Sequence, residues 1–231
     1  METKAQGQIG AFFDVDYTLL ANNSASLFVK FMRREGKVGV GAMLTTVYYL
    51  VQYKLNILHF ERLVEREVVK YKGMPEAEMY ALCERWFNEM VAHYFYEEAK
   101  ELIENHKRAG DIVVLLSATS IYALRPMARY LGVEHYLGNS LSVDENGNFT
   151  GLINRPICYG PGKIIVAEQF AAKMGIDLDR SFHYSDSITD LSALERFGRP
   201  TAVNPDPLLR KEAKRRGWPI LKFTKVAGAK G

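Results

Sequence analysis

Apolar and polar positions follow two different rhythms along this chain. Short apolar runs, such as residues 9–13, predict buried strands, whereas apolar residues three or four apart predict helices. From residue 97 onward the two types alternate, with strands expected over residues 112–116, 182–184, 200–203 and 218–223 and helices over residues 97–109, 121–131, 163–174, 191–197 and 205–216. This alternation is typical of an α/β fold with a parallel sheet and right-handed crossovers.

Two regions interrupt this alternation. Asn146-Gly147 lies between extended runs over residues 135–143 and 148–153, which is a strong hairpin signal. Residues 22–93 show helical spacing throughout, with Asn22, Asn23 or Ser24 as candidate caps of the first helix. We therefore expect an α/β core from residues 1–20 and 95–231, and a helical insertion over residues 21–94 that lies beside or over the end of the first strand.

Within the insertion, residues 39–54 form an apolar, Tyr-rich helical pattern that contains Gln52 and Lys54. Polar residues of this kind make a poor membrane-spanning helix. Packing inside the insertion is therefore the preferred interpretation of this segment, and contact with a membrane surface is the lesser alternative.

Composition narrows the class of protein without naming it. The 231 residues are 48% hydrophobic and 25% charged, with a net charge of +3, as in ordinary globular proteins. The basic cluster at residues 210–216 is interpreted as a solvated helix face, and no nucleic-acid motif accompanies it. Cys83 and Cys158 show no metal-binding spacing, and the polar first eight residues do not resemble a signal peptide. We expect a cytoplasmic protein with no nucleic-acid partner.

The first strand leads directly into Asp14 and Asp16. Ligands of open α/β sheets bind at the carboxyl ends of the strands, and two neighbouring carboxylates repel unless a cation or a shared proton neutralises them. A divalent-metal site with one reactive carboxylate is one interpretation. A strand end closed by turn-forming Asp residues is the other, and this stretch alone does not decide between them.

Three further groups of polar residues occupy a similar position in the predicted fold, at a strand end or a helix start. The full set is Asp14 with Asp16, Ser117 with Ala118 and Thr119, Lys163, and Asp186 with Asp190. Each group alone has an ordinary structural explanation as a cap or a solvated residue. Together they contain what phosphoryl transfer through an aspartyl phosphate requires: a carboxylate nucleophile, oxygen ligands for Mg²⁺, donors for phosphate oxygens and a neutralising ammonium.

The order of these groups resembles the haloacid dehalogenase superfamily of phosphohydrolases over residues 9–222. Its DxDx[TV] motif is matched by Asp14-Val15-Asp16-Tyr17-Thr18, its second motif by a strand ending in Ser117, its third by Lys163, and its fourth by Asp186 to Asp190. The insertion after the first motif resembles the cap of the phosphoserine-phosphatase-like branch. The resemblance implies a Rossmann-like three-layer core with a parallel sheet and an inserted helical cap.

The resemblance also implies a role for each matched residue. Asp14 would be the nucleophile and a metal ligand, and Asp16 the general acid/base that touches Mg²⁺ through its backbone carbonyl. Asp186 would complete the metal ligands, and Ser117, Ala118, Thr119 and Lys163 would bind the substrate phosphate. Thr18 and Asp190 would be supporting residues. The implied partner is a small phosphomonoester.

Two departures from that branch put L-phosphoserine in doubt as the substrate. The branch has a substrate-recognising Glu nine residues after the nucleophile, where this chain has Asn23, and it has Asn at the position of Thr189. Another alcohol phosphate, including a lipid phosphate, and a phosphotransferase reaction remain open alternatives. The rival from another class is a phosphoacceptor signalling domain, which is about half as long and has no helical insertion. All five histidines, His183 included, are interpreted as structural.

Overall fold

The structure is a computed structural model that describes residues 7–39, 41, 45, 49 and 59–228. Its strands are β1 (Gly10–Phe13), β2 (Ile112–Ser120), β3 (His135–Asn139), β4 (Leu141–Val143), β5 (Phe149–Ile153), β6 (Phe182–Ser185), β7 (Arg199–Val203) and β8 (Ile220–Leu221). The helices used below are α1 (Ser24–Arg34), α2 (Phe60–Val68), α3 (Glu76–Trp86), α4 (Glu97–Ala109), α5 (Ile121–Tyr130), α6 (Pro161–Met174), α7 (Leu191–Arg196) and α8 (Pro207–Arg216).

Six strands form one parallel sheet in the order β3-β2-β1-β6-β7-β8. The chain moves outward from β1 in one direction and then returns to place β6 on its other side. In an open α/β sheet, this reversal of strand order opens a crevice at the carboxyl ends of the two central strands. The predicted parallel α/β core is confirmed, and a ligand site is expected between β1 and β6.

Both faces of the sheet are covered, as the continuous apolar strands predict. Phe13 and Leu115 point into a cluster that contains Ile103 of α4 and Leu124 of α5. The alternate residues, including Phe12, pack against α6 in a second cluster on the other face. The result is a three-layer arrangement of helix, sheet and helix.

The inserted residues between β1 and β2 are mainly helical where the structure describes them, and they pack on the core. Trp86 of α3 is fully buried and belongs to the same apolar cluster as Phe13. The loop before α3 also joins the β4–β5 hairpin through backbone hydrogen bonds, from Gly73 N to Phe149 O at 2.8 Å and from Phe149 N to Met74 O at 2.9 Å. The hairpin therefore connects the core to the insertion.

The structure corrects three predicted element boundaries. Strand β2 continues through Ser120 rather than ending at residue 116, with an irregular register against β3. The run at 135–143 is divided into β3 and β4, because the side chain of Asn139 anchors the end of β3 to Ala118 O at 2.6 Å and to Cys158 N at 2.8 Å. Within the helical pattern predicted over residues 22–93, α3 ends at Trp86 and is followed by a π-helical turn, Phe87–Val91.

The apolar helix expected over residues 39–54 lies mostly outside the described residues, where positions 41, 45 and 49 are helical. Among the helices that the structure describes, none is long and apolar enough to span a lipid bilayer.

Candidate active site

Asp14 and Asp186 lie side by side in the fold, since each directly follows one of the two central strands, β1 and β6. Asp14 is held there by its backbone N–H, which donates to the carbonyl of Tyr184 on β6 at 2.9 Å. Both carboxyl groups are buried. Both residues therefore lie together at the carboxyl edge of the sheet, where the sequence placed them.

A tight turn follows Asp14 and sets the direction of the next side chains. The carbonyl of Val15 accepts backbone hydrogen bonds from Leu19 and Leu20, both at 3.0 Å. Tyr17 has a φ of 58°, a left-handed conformation that is costly for a side chain of this size. The burial of Leu19 and Leu20 holds this turn in place, so that Asp16 and Thr18 stay near the strand end.

Lys163 reaches this edge from the first turn of α6. A Cβ atom at position 162 would overlap the carbonyl of Ile157, so only Gly162 allows the chain to approach this closely. The Lys163 ammonium donates to Asp14 Oδ1 at 2.8 Å and to Asp190 Oδ2 at 2.6 Å. These three residues are buried together, and the buried cation links the first and the fourth motif.

The loop after β6 contributes two differently held carboxyl groups. Asp190 Oδ2 also accepts a hydrogen bond from Ser185 Oγ at 2.7 Å, in addition to the one from Lys163. Asp186 accepts a longer hydrogen bond from Thr18 Oγ1 at 3.3 Å. Thr18 therefore joins the turn after β1 to the loop after β6.

Asp16 is held by the start of the inserted helix α1. Its Oδ1 accepts from the backbone N–H of Ser24 at 2.9 Å, while its Oδ2 accepts from Ser24 Oγ and from Asn23 Nδ2, both at 2.9 Å. Asn23 is the N-cap of α1 and accepts from Ser26 N at 3.0 Å through its own Oδ1. The sequence indicated Asn23 and Ser24 as candidate helix caps, and Asn23 also as the residue at the position of the substrate-recognising Glu. Their contact with Asp16 was not predicted.

The predicted phosphate-binding segment lies at the end of β2. Ser117 is 2% exposed, and its Oγ accepts from Thr119 N at 3.3 Å. Helix α5 begins only at Ile121, so residues 117–119 lie on an extended strand end and not at the helix start that the sequence suggested. The hydroxyl of Thr119 lies 3.0 Å from Ser24 Oγ of the insertion.

Burial dominates the pKa values of this site. It raises the pKa of Asp14 to about 6 against the opposing charge of Lys163, and it raises the pKa of Asp16 to about 7 together with the charge of Asp14. The pKa of Asp186 is raised well above its usual range by burial and by the charges of Asp14 and Asp190. Asp190 is the exception, because Lys163 outweighs burial and lowers its pKa.

The pKa values of Lys163 and of a nearby histidine are shifted in opposite directions. Burial alone would lower the pKa of Lys163, but Asp14 and Asp190 outweigh burial and raise it well above its usual value. His183 on β6 is fully buried and stacks on Phe197, and burial lowers its pKa to about 4. Its Nε2 has no hydrogen-bond partner among the residues that the structure describes, so this histidine is packed as a neutral ring behind the charged residues.

Comparisons with known proteins show the family of this chain. The model of the haloacid dehalogenase-like hydrolase family matches residues 11–195. A probable phosphatase of Mycobacterium tuberculosis is 34% identical over 96% of this chain and 78% of its own length. A phosphoserine phosphatase of the same organism is 33% identical over 92% of this chain and 70% of its own length.

A solved structure shares the whole fold. A protein of unknown function from Bordetella pertussis is 29% identical, with a TM-score of 0.84, over 94% of this chain and 99% of that one. The chain belongs to the haloacid dehalogenase-like hydrolase family. Within that family it is a phosphatase.

Proposed function

We propose that this phosphatase is a Mg²⁺-dependent phosphomonoester hydrolase that works through a phosphoaspartate formed on Asp14. The observation that supports this best is the contact between the Lys163 ammonium and Asp14 Oδ1 at 2.8 Å in a buried site. A carboxylate withdrawn from water and beside a fixed cation is a competent nucleophile toward phosphorus. The ammonium also neutralises negative charge on the group being transferred.

Asp14 would attack the phosphorus atom while the bond from phosphorus to the leaving alcohol breaks. With a pKa of about 6, its carboxyl group is mostly ionised at neutral pH. Asp16 would donate a proton to the leaving oxygen and then accept one from the water that attacks the phosphoaspartate. A pKa of about 7 suits a group that must be both acid and base near neutral pH.

The donor set fits Mg²⁺. Asp14 and Asp190 contact the Lys163 ammonium, and the charge of Lys163 also lowers the pKa values of Asp16 and Asp186, although by less than burial raises them. The described residues contain no group of three or more Asp, Glu, His or Cys side chains arranged to hold a metal. Mg²⁺ requires fewer, since it keeps several waters and is bound by one or two carboxylates and substrate phosphate.

The ligands would be the carboxylates of Asp14 and Asp186 and the backbone carbonyl of Asp16. When bound, Mg²⁺ would neutralise phosphate charge and polarise the phosphorus centre. Thr18 would hold Asp186 through its 3.3 Å hydrogen bond, and Asp190 would hold Lys163.

The phosphate oxygens would be bound by Lys163 and by the strand end of Ser117, Ala118 and Thr119. The burial of Ser117 on β2, the strand that pairs with β1, supports this placement. We further propose that residues 21–94 act as the cap, since α1 begins at the carboxyl group of Asp16.

The hydrogen bonds of the Asn23 side chain bear on the class of substrate. Both ends of its carboxamide are engaged inside the protein, Nδ2 with Asp16 and Oδ1 with Ser26 N. No anionic side chain occupies this position to receive an ammonium group. We therefore propose a small alcohol phosphate other than L-phosphoserine as the substrate, although one of the 33% identical relatives is a phosphoserine phosphatase.

The test is phosphate release from a panel of phosphomonoesters, with Mg²⁺ and with EDTA. We expect release from at least one ester by the wild type, loss of release in EDTA, and a loss of at least about 10³-fold in Asp14→Asn. Asp179→Asn makes the same change at an exposed carboxylate and is the matched control. Turnover that persists in Asp14→Asn, or in EDTA, would overturn the proposal.

A further inference from the structure

The contacts of Asp16 distinguish its two carboxylate oxygens. Each carboxylate oxygen has about two lone-pair sites in the plane of the group. Oδ2 accepts two hydrogen bonds, from Ser24 Oγ and Asn23 Nδ2, and both of its sites are therefore occupied. Among the described residues, Oδ1 accepts only from the backbone N–H of Ser24, which leaves one of its sites.

The hydroxyl of Ser24 also has a defined direction. Its single proton is donated to Oδ2 of Asp16, which accepts whether the carboxyl group is ionised or carries a proton on Oδ1. The 3.0 Å contact between Ser24 Oγ and Thr119 Oγ1 therefore requires the Thr119 hydroxyl to donate. The chain of donors runs from Thr119 on β2, through Ser24 on α1, to Asp16 after β1.

We propose that Asn23, Ser24 and Thr119 are positioning residues that occupy Oδ2 of Asp16 and leave Oδ1 as the atom that exchanges the proton with the leaving alcohol and with water. This inference rests on the proposed function, because it assigns the acid/base role to Asp16. It gives the start of α1 a direct part in the chemistry. It also withdraws the Thr119 side chain from phosphate binding, leaving only its backbone for that role.

The geometry of the three donors supports this assignment over a purely structural one. Ser24 is 3% exposed and gives Asp16 two donors from one residue, which holds the plane of the carboxyl group as well as its place. A hydrogen bond to an ionised group is about twice as strong as a neutral one. Ser26, in the same helical turn, donates its hydroxyl to Asn23 O instead.

The experiment compares leaving groups in the full-length protein with Mg²⁺. An alkyl phosphate needs a proton on its leaving oxygen, whereas p-nitrophenyl phosphate releases a stable anion that does not. In Ser24→Ala we expect kcat for the alkyl phosphate to fall about 10-fold to 100-fold, part of the 10²-fold to 10⁴-fold that general acid catalysis supplies. Single-turnover release of p-nitrophenolate should change less than about 3-fold, and KM should change little.

Three further variants complete the test. Ser24→Thr keeps the hydroxyl and should restore most of the alkyl phosphate activity, and Thr119→Val, which removes the next donor, should show the same leaving-group dependence in weaker form. Ser26→Ala is the matched control and should behave as the wild type. Equal losses for both leaving groups in Ser24→Ala, no loss for either, or a rise in KM alone would overturn the inference.

Asp14→Asn and Asp16→Asn are measured in parallel to separate the two proposals. If Asp14→Asn turns over, the proposed function itself fails. If Asp14→Asn is inactive and Asp16→Asn shows the strong leaving-group dependence while Ser24→Ala does not, the proposed function stands and only the positioning role fails.

Discussion

The loop after β1 and the loop after β6 hold their carboxyl groups in different ways. Asp190, in the second loop, receives the Lys163 ammonium at 2.6 Å and the Ser185 hydroxyl at 2.7 Å, and its pKa is lowered despite complete burial. Asp16, in the first loop, receives uncharged donors from Ser24 and Asn23, and its pKa is raised to about 7.

This difference in hydrogen-bond donors suits the two carboxyl groups to different roles. A cation held close to a carboxyl group keeps it ionised across the working pH range, which suits a fixed electrostatic support. Neutral donors fix the orientation of a carboxyl group while leaving its pKa near neutrality, which suits a group that gains and loses a proton. Pairs of acids whose surroundings push their pKa values apart are a common basis for acid and base assignments in active sites.

Removing the charge of Lys163, which holds the loop after β6, should have the largest effect on stability. Lys163→Met leaves Asp14 and Asp190 buried without their cation, and we expect the free energy of unfolding at pH 7 to fall by about 3–5 kcal/mol, with activity lost. In the wild type, Lys163 keeps the pKa of Asp190 low, so this carboxyl group stays ionised down to about pH 4. In the variant, burial without the cation raises the pKa values of Asp14 and Asp190, and both groups take up protons as the pH falls from 7. The deficit of the variant should therefore shrink toward pH 4.

Urea denaturation followed by circular dichroism measures this deficit at each pH. Lys173→Met removes an exposed lysine from the same helix, α6, and is the matched control. An equal deficit at pH 7 and pH 4 would mean that Lys163 stabilises the fold by packing alone.

The neutral histidine behind the charged residues gives a second, smaller pH effect. The pKa of His183 is lowered to about 4 in the fold from 6.5, mainly by burial, so the unfolded chain binds the proton more readily between these values. Stability is thus complete above pH 6.5 and falls as the pH falls toward 4. Between pH 8 and pH 5 the loss from this residue should be about 2 kcal/mol.

His183→Asn should remove that part of the slope when the free energy of unfolding is measured at both pH values. His59→Asn, a change at an exposed histidine, controls for the substitution itself. If the free energy of unfolding changed equally with pH in the wild type and in His183→Asn, His183 would not be the cause of the pH dependence.

The positions of site residues that directly follow a strand or begin a helix were predictable from the sequence. Asp14 and Asp186 each follow an apolar strand, and neighbouring parallel strands must present their carboxyl ends at one edge. Lys163 was expected at this edge from its place at a predicted helix start and from the family resemblance, whereas the close approach that Gly162 allows is known only from the structure.

The contacts of Asp16 were not predictable, because they depend on how distant elements meet. Ser24 and Thr119 are separated by 95 positions and come together only when α1 is packed against β2. Ser24 carries a strong local signal as a helix cap, and this signal conceals its contact with Asp16. Likewise, Ser117 to Ser120 have modest strand propensity, so the extension of β2 depends on pairing with β3.

The smallest expected effect separates the two functions of Asn23. Its Oδ1 caps α1 through Ser26 N, and its Nδ2 donates to Asp16. Asn23→Ala removes both interactions, whereas Asn23→Ser keeps a capping oxygen and loses only the donor. We expect Asn23→Ala to be less stable than Asn23→Ser by about 1 kcal/mol, the usual cost of losing an N-cap.

Urea denaturation at pH 7 measures the difference between these two variants. The loss in Asn23→Ser relative to the wild type should be far smaller than that in Lys163→Met, because Asp16 still has both donors of Ser24, whereas Asp190 loses the ammonium that contacts it. A deficit in Asn23→Ser as large as that in Lys163→Met would contradict the comparison. The stability of the loop after β1 would then depend on a single strong contact to Asn23, as the loop after β6 depends on Lys163, and not on several weak hydrogen bonds.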